Sequence, residues 1–207
     1  MGWEADWKKW TQATYGIIHA VEMASRLQFG NFTKLEESVR AGLSWVASNL
    51  GFRSEAAEHP LRTGSINIAA GQVPSVLAGL RARAIELLLL GTVSVAEELL
   101  LDLLVARSIA KTRPGKLTSG LRAIEKRLGD NGTLTKHRWA ISAMHEMRVV
   151  RNCVIHARST WTKAAGEEIK KIHGAAPAIG TPISVGLDDV FRYRRATRTV
   201  LNAAARA

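Results

Sequence analysis

Between Ser75 and Ala110, apolar residues occupy nearly every side of a helical period. Leu77, Leu80, Ala84, Leu87, Leu88, Val95, Leu99 and Leu103 leave little surface for water. A helix apolar nearly all round has to be surrounded by other elements, as at the centre of a bundle. The apolar run Ala84–Leu90 is too short to span a bilayer, and Arg81, Arg83, Glu97 and Glu98 flank it, so no membrane role is expected. Gly91 is a candidate kink or break. Glu97, Glu98 and Asp102 read as a solvated face or as partners for arginine, in preference to a metal site.

The flanking segments repeat the helical period. Trp3, Trp7, Trp10, Thr14, Ile17, Val21 and Ala24 alternate steps of four and three, one face of a helix ending near Gly30. Such a stripe reads as core or dimer seam; a base-stacking platform is its less common use. Thr33 with Glu36 forms a capping box, followed by Leu35, Val39, Leu43, Val46 and Leu50 and a stop at Gly51. Pro60, Gly64, Gly71 and Pro74 then break the period, so residues 52–74 read as a long connection. This divides the chain into an N-terminal helical extension with its connecting loop, 1–74, and a helical bundle, 75–207.

Within the bundle, Arg113-Pro114-Gly115 marks a turn and Ser119–Leu128 a short basic helix. Thr133 or Thr135 caps the next helix, with Trp139, Ala143, Met147, Val150 and Val154 on its core face. Glu167–Ile172 has helical character, and Leu187-Asp188-Asp189 opens a last helix rich in arginine. No strand-rich segment, repeat or low-complexity tract interrupts this pattern. The fold class is all-α.

Apolar residues make up 46% of the chain, enough for a packed core. The 29 lysines and arginines exceed the 18 aspartates and glutamates, giving a net charge of +11 and pointing to a polyanion, most often nucleic acid. A single cysteine, Cys153, excludes an intrachain disulfide and fits a reducing cytoplasm. The N-terminus lacks a basic region followed by an apolar run, so no signal peptide is expected. No cofactor is expected either. Phosphate-binding glycine loops are missing, and His19, His59, His137, His145 and His173 are scattered without metal-ligand spacing.

Chemistry concentrates in Arg151-Asn152-Cys153-Val154-Ile155-His156. At 100° per residue, Met147, Val150 and Val154 face inward, while His145, Arg148, Asn152 and His156 form a polar stripe. Arg151 lies between the core edge and the stripe. Asn152 can reach His156 to orient the imidazole, or can hold a phosphate. Cys153 is expected to face away from the stripe as a buried structural residue. Cleaving RNA without a metal needs a proton removed from a 2′-hydroxyl, one given to the leaving 5′-oxygen, and positive charge on the phosphorane-like transition state. Histidine moves protons near neutrality, and arginine holds charge in a planar fork. One histidine is thin for two transfers, so a two-fold dimer pairing two copies is attractive.

Arg-Asn-x-x-x-His resembles the R-x4–6-H motif of the HEPN superfamily, small all-α domains common in prokaryotic toxin and defence ribonucleases. A polar residue often follows the arginine there, as Asn152 does here. The resemblance extends over residues 75–207, through the apolar helix around Ala84–Arg107 and the connection at Leu121–Leu128. It implies a HEPN-like bundle and a cytoplasmic, metal-independent endoribonuclease of the toxin or antiphage type. Arg151 and His156 from two protomers would be catalytic in a basic cleft, with Asn152 assisting. An antitoxin or regulatory protein is a further possible partner. In HEPN toxins paired with minimal nucleotidyltransferases a tyrosine stands two residues after the histidine; here that position is Arg158. This departure weakens an inference of nucleotidylation control and leaves the nuclease motif intact. From the residues themselves, Arg148, Arg158, Arg194 and Arg195 are candidate RNA-binding groups. The competing reading is a non-catalytic HEPN-like dimer that binds RNA, a nucleotide or a partner.

Overall fold

The computed structural model describes residues 2–26, 73–157 and 159–207. The capping box at Thr33, the helix expected through Leu50 and most of the expected connection lie outside these residues. Among those described, the chain forms six helices: α1 Trp3–Arg26, α2 Val73–Ala106, α3 Leu117–Asp130, α4 Leu134–His156, α5 Lys163–His173 and α6 Leu187–Arg206. No strand is present among them, and one isolated antiparallel bridge joins Thr160 and Pro182. The described residues are therefore all-α, as expected. No helix among the described residues is long and apolar enough to cross a membrane.

Met1–Ile18 together with Ala82–Ala207 make one compact unit, and His19–Arg81 another. Trp3–Ile18, the first two thirds of α1, thus belong with the main body. The tryptophan stripe explains this. Trp7 is buried in the principal core, and Trp3 and Trp10 pack against it. Burying such a ring removes a large apolar area from water and contributes on the order of 2–3 kcal/mol.

In the main unit, α2 is the central element expected from its composition. Leu89, Leu100, Leu101 and Leu104 are buried against Ile124, Met144, Met147 and Leu201. The helix is not apolar-buried all round, however, because Leu87 and Val105 stand exposed. It also runs unbroken through Gly91. That glycine makes room for a neighbour: the Trp10 ring crosses it so closely that a Cβ there would lie 2.4 Å from Cη2. Gly120 acts similarly on α3, where a Cβ would lie 2.6 Å from a Leu101 methyl. Both glycines let two elements approach more closely than alanine permits.

Glu97 and Asp102 of α2 are structural. Glu97 Oε1 accepts the Leu117 N–H at 2.7 Å. This satisfies a free donor at the start of α3, where Lys116 provides no side-chain cap. Asp102 pairs with Arg113 across the turn. Three buried threonine hydroxyls are satisfied within their own helices: Thr14 donates to the Trp10 carbonyl, Thr92 to Leu88 and Thr197 to Tyr193. Each removes the penalty of an unpaired buried polar group.

α4 packs most extensively on α6, and also on α5 and α3. α5 is longer than expected. The Thr162 hydroxyl accepts the Ala165 N–H at its start, and Gly174 closes it in the left-handed region. The segments before and after α5 are tied together, Trp161 N–H to Thr181 O at 3.0 Å and Ile183 N–H to Ser159 O at 2.7 Å. That clamp holds α5 against the end of α4.

Candidate functional site

α4 carries two apolar faces rather than one. Met144, Met147, Val150 and Val154 join the principal core, as the helical period predicts. Val149 and Cys153 join a smaller core with Ala165 and Ile169 of α5. Two expectations change accordingly. Trp139, placed on the core face by its spacing, is instead exposed and lines a groove, while Ala140 and Ile141 beside it are buried. Cys153 is buried as expected, yet it does not face away from the polar stripe: it lines the same pocket as Asn152 and His156. The second apolar face, invisible without α5, is the reason.

The polar stripe is real and each member meets a different partner. His145 Nε2 lies 3.6 Å from Glu125 on α3. Burial, with the nearby Arg148 charge, holds the His145 pKa below its ordinary value despite Glu125. Arg148 forms an ion pair with Glu168 on α5. Arg151 donates through Nη1 to Asn152 Oδ1 at 3.0 Å. His156 ends the helix on the exposed side, and among the described residues no hydrogen bond or ion pair engages it. Beyond it, Ser159 adopts a left-handed φ of 57° and its hydroxyl donates to Glu86 Oε1 at 2.8 Å, pinning the chain after the motif to α2.

Arg148, Asn152, His156, Thr162 and Glu168 surround a pocket of about 290 Å³ between α4 and α5, with Cys153 among its lining. The sequence-predicted residues are therefore only partly assembled. Arg148, Asn152 and His156 share this pocket, and Arg151 approaches it through Asn152. Arg158 lies outside the described residues. Arg194 and Arg195 line a different groove, so the two arginine sets do not border one cleft within the unit. Arg194 is also not a solvated cation. It is 8% exposed, and its guanidinium lies 4.5 Å from the Tyr15 ring centroid and 6.0 Å from that of Phe191. Asn152 meets Arg151, and the anticipated contact with His156 is not formed.

That second groove is larger, about 1100 Å³, and lies between α1, the start of α4 and α6. Trp3, Trp139, Lys8, Arg195 and Arg198 are among its lining.

Two acidic residues escaped sequence reasoning. Glu168 sits in the motif pocket and neutralises Arg148. Glu146 is a hub: its carboxylate accepts from Arg192, from the Tyr193 hydroxyl at 2.9 Å, and meets His173 Nε2 at 2.8 Å. Burial alone would push the Glu146 carboxyl up, but the hydrogen bonds from Arg192, Tyr193 and His173 together outweigh it and hold the pKa below the ordinary value. The Tyr193 hydroxyl is pushed well above its ordinary range by burial and by the Glu146 charge. The signal for both acids was their position on amphipathic helices rich in partners of opposite sign, which does not identify the partner. Among the described residues, no group of three or more histidine, cysteine, aspartate or glutamate side chains could hold a metal ion.

No protein-family model, curated protein or solved structure matches the chain at a significant level. The class defined by fold and site is an all-helical bundle with a polar pocket at the end of its central motif helix.

Proposed function

We propose that the protein is a HEPN-type endoribonuclease that cleaves RNA without a metal, as a dimer, in a toxin or antiphage setting in the cytoplasm. The observation that carries the reading is the Arg151–Asn152 hydrogen bond at 3.0 Å, one turn from an exposed His156. Asn152 fixes the guanidinium near the helix end from which the imidazole projects. An arginine held in place meets developing phosphate charge without further ordering.

In this mechanism a 2′-hydroxyl attacks the adjacent phosphorus while His156 takes its proton. The bond from phosphorus to the 5′-oxygen breaks, and the second protomer's imidazole protonates the leaving oxygen. The products are a 2′,3′-cyclic phosphate and a 5′-hydroxyl. Arg151 stabilises the intervening charge. Two features support the dimer. One chain supplies a single histidine to the motif, and Ile155 beside it is 43% exposed, an apolar contact available to a second copy.

The test is cleavage of RNA by purified protein in EDTA, wild type against His156→Ala. Cleavage in chelator with a cyclic phosphate end, lost in the variant, is expected. Activity abolished by EDTA and restored by magnesium would sink the mechanism.

A further inference from the structure

We propose that the groove between α1, the start of α4 and α6 binds a single-stranded oligonucleotide, with bases stacked on Trp139 and Trp3 and phosphates against Lys8, Arg195 and Arg198. The site is separate from the motif pocket, and the proposal stands whether or not His156 cleaves RNA.

Trp139 is the first observation. It is 47% exposed and lines the groove, although Ala140, Ile141 and Ala143, which follow it on α4, are buried. An indole held half in water beside arginines offers a π face that any unstacked base can cover. The second observation is charge. Lys8, Arg195 and Arg198 are exposed in the groove, while its acidic lining is limited to Glu4 and Asp188 among the described residues. The third is Arg194. It is 8% exposed and lines the groove, and its Nε has no hydrogen-bond partner among the described residues. A buried guanidinium held over Tyr15 supplies fixed positive potential to the groove wall.

These features select the occupant. A duplex buries its base faces and could use only the cations, leaving the tryptophans idle. A second copy of this chain, joined through the same face by a two-fold axis, would bring Arg195 and Arg198 near their own counterparts. A single strand uses both the rings and the charges. Stacking does not read the 2′-hydroxyl, so RNA and DNA strands should bind alike.

The experiment is fluorescence anisotropy with labelled oligouridine and oligothymidine, using full-length protein carrying His156→Ala so that RNA stays intact. Trp139→Ala should weaken both by roughly tenfold, and Trp139→Phe should retain most of the affinity. Arg195→Glu with Arg198→Glu should weaken binding and reduce the salt slope by about 1.4, as expected for two lost phosphate contacts to a single strand. All these side chains are exposed, so the fold should survive, and circular dichroism checks it. Restoring His156 should leave oligothymidine affinity unchanged. The proposal is overturned if no single strand binds at low salt, if Trp139→Ala and the Arg195→Glu/Arg198→Glu variant both bind like the parent, or if binding requires ribose. It is also overturned if Trp139→Ala changes the mass in light scattering but not strand binding, which would make the groove a contact between copies.

Discussion

Trp10 lies across Gly91, its Cη2 atom 2.4 Å from where a Cβ on that glycine would stand. The contact is between the helix expected to be an extension and the central helix of the bundle. It explains why the first two thirds of α1 belong to the main unit. Gly91→Ala should overpack the site and cost about 1–3 kcal/mol, read by urea unfolding. In a Trp10→Ala background most of that penalty should vanish, since the clashing ring is gone. Equal penalties in both backgrounds would show that the contact is not what destabilises.

Glu146 joins α4 to α6 through Arg192 and Tyr193, and to α5 through His173. Glu146→Ala should cost about 1–3 kcal/mol in urea unfolding, since it strands a buried tyrosine hydroxyl and a half-buried guanidinium. The figure is below that for a fully buried pair because Arg192 retains 39% side-chain exposure and water can solvate it.

Three titrations set a stability plateau. His145 has a folded pKa below its ordinary 6.5, so its contribution is complete above that value and is lost as pH falls from it through the folded pKa. Glu146 is lowered from 4.5, so its contribution is complete above 4.5 and is lost as pH falls further, through the folded pKa. Tyr193 is raised from 10.0, so its contribution is complete below 10.0 and is lost as pH rises beyond it. Thermal melts across pH should show stability declining below about pH 6.5, with a second acid decline below 4.5, and an alkaline decline above 10. His145→Gln should shrink the first of these, leaving the part due to His137, whose pKa burial and the Lys136 charge also lower.

The motif residues should separate by role. His156→Ala should lower RNA cleavage by roughly 10²–10⁴-fold, and Arg151→Ala by a comparable factor. Asn152→Ala should cost less, because it orients Arg151 and carries no charge. Arg151→Lys should restore little, since an ammonium cannot reproduce the planar fork held by Asn152. Single-turnover rates on a defined RNA decide these points. An Asn152→Ala loss exceeding that of Arg151→Ala would contradict the positioning role.

The oligomeric state is a separate check. Light scattering at micromolar protein and physiological salt should give a dimer, and Ile155→Asp should give a monomer with reduced cleavage. A wild-type monomer retaining full activity would count against two protomers sharing the site.

Helix existence was legible because local period is a property of neighbouring residues. The spacing of Met147, Val150 and Val154 predicts their burial, and the apolar excess of α2 predicts its central place. The polar stripe from His145 to His156 follows from the same geometry. Partner choice was not legible. Nothing within α4 reveals that α5 covers Val149 and Cys153, that Glu168 neutralises Arg148, or that Trp139 stands exposed in a groove. Arg194 and Arg195 are adjacent in sequence, yet one stacks in the interior and the other faces water. A helix presents several faces at once, and which of them meets protein is decided only when other helices, distant in sequence, dock against it.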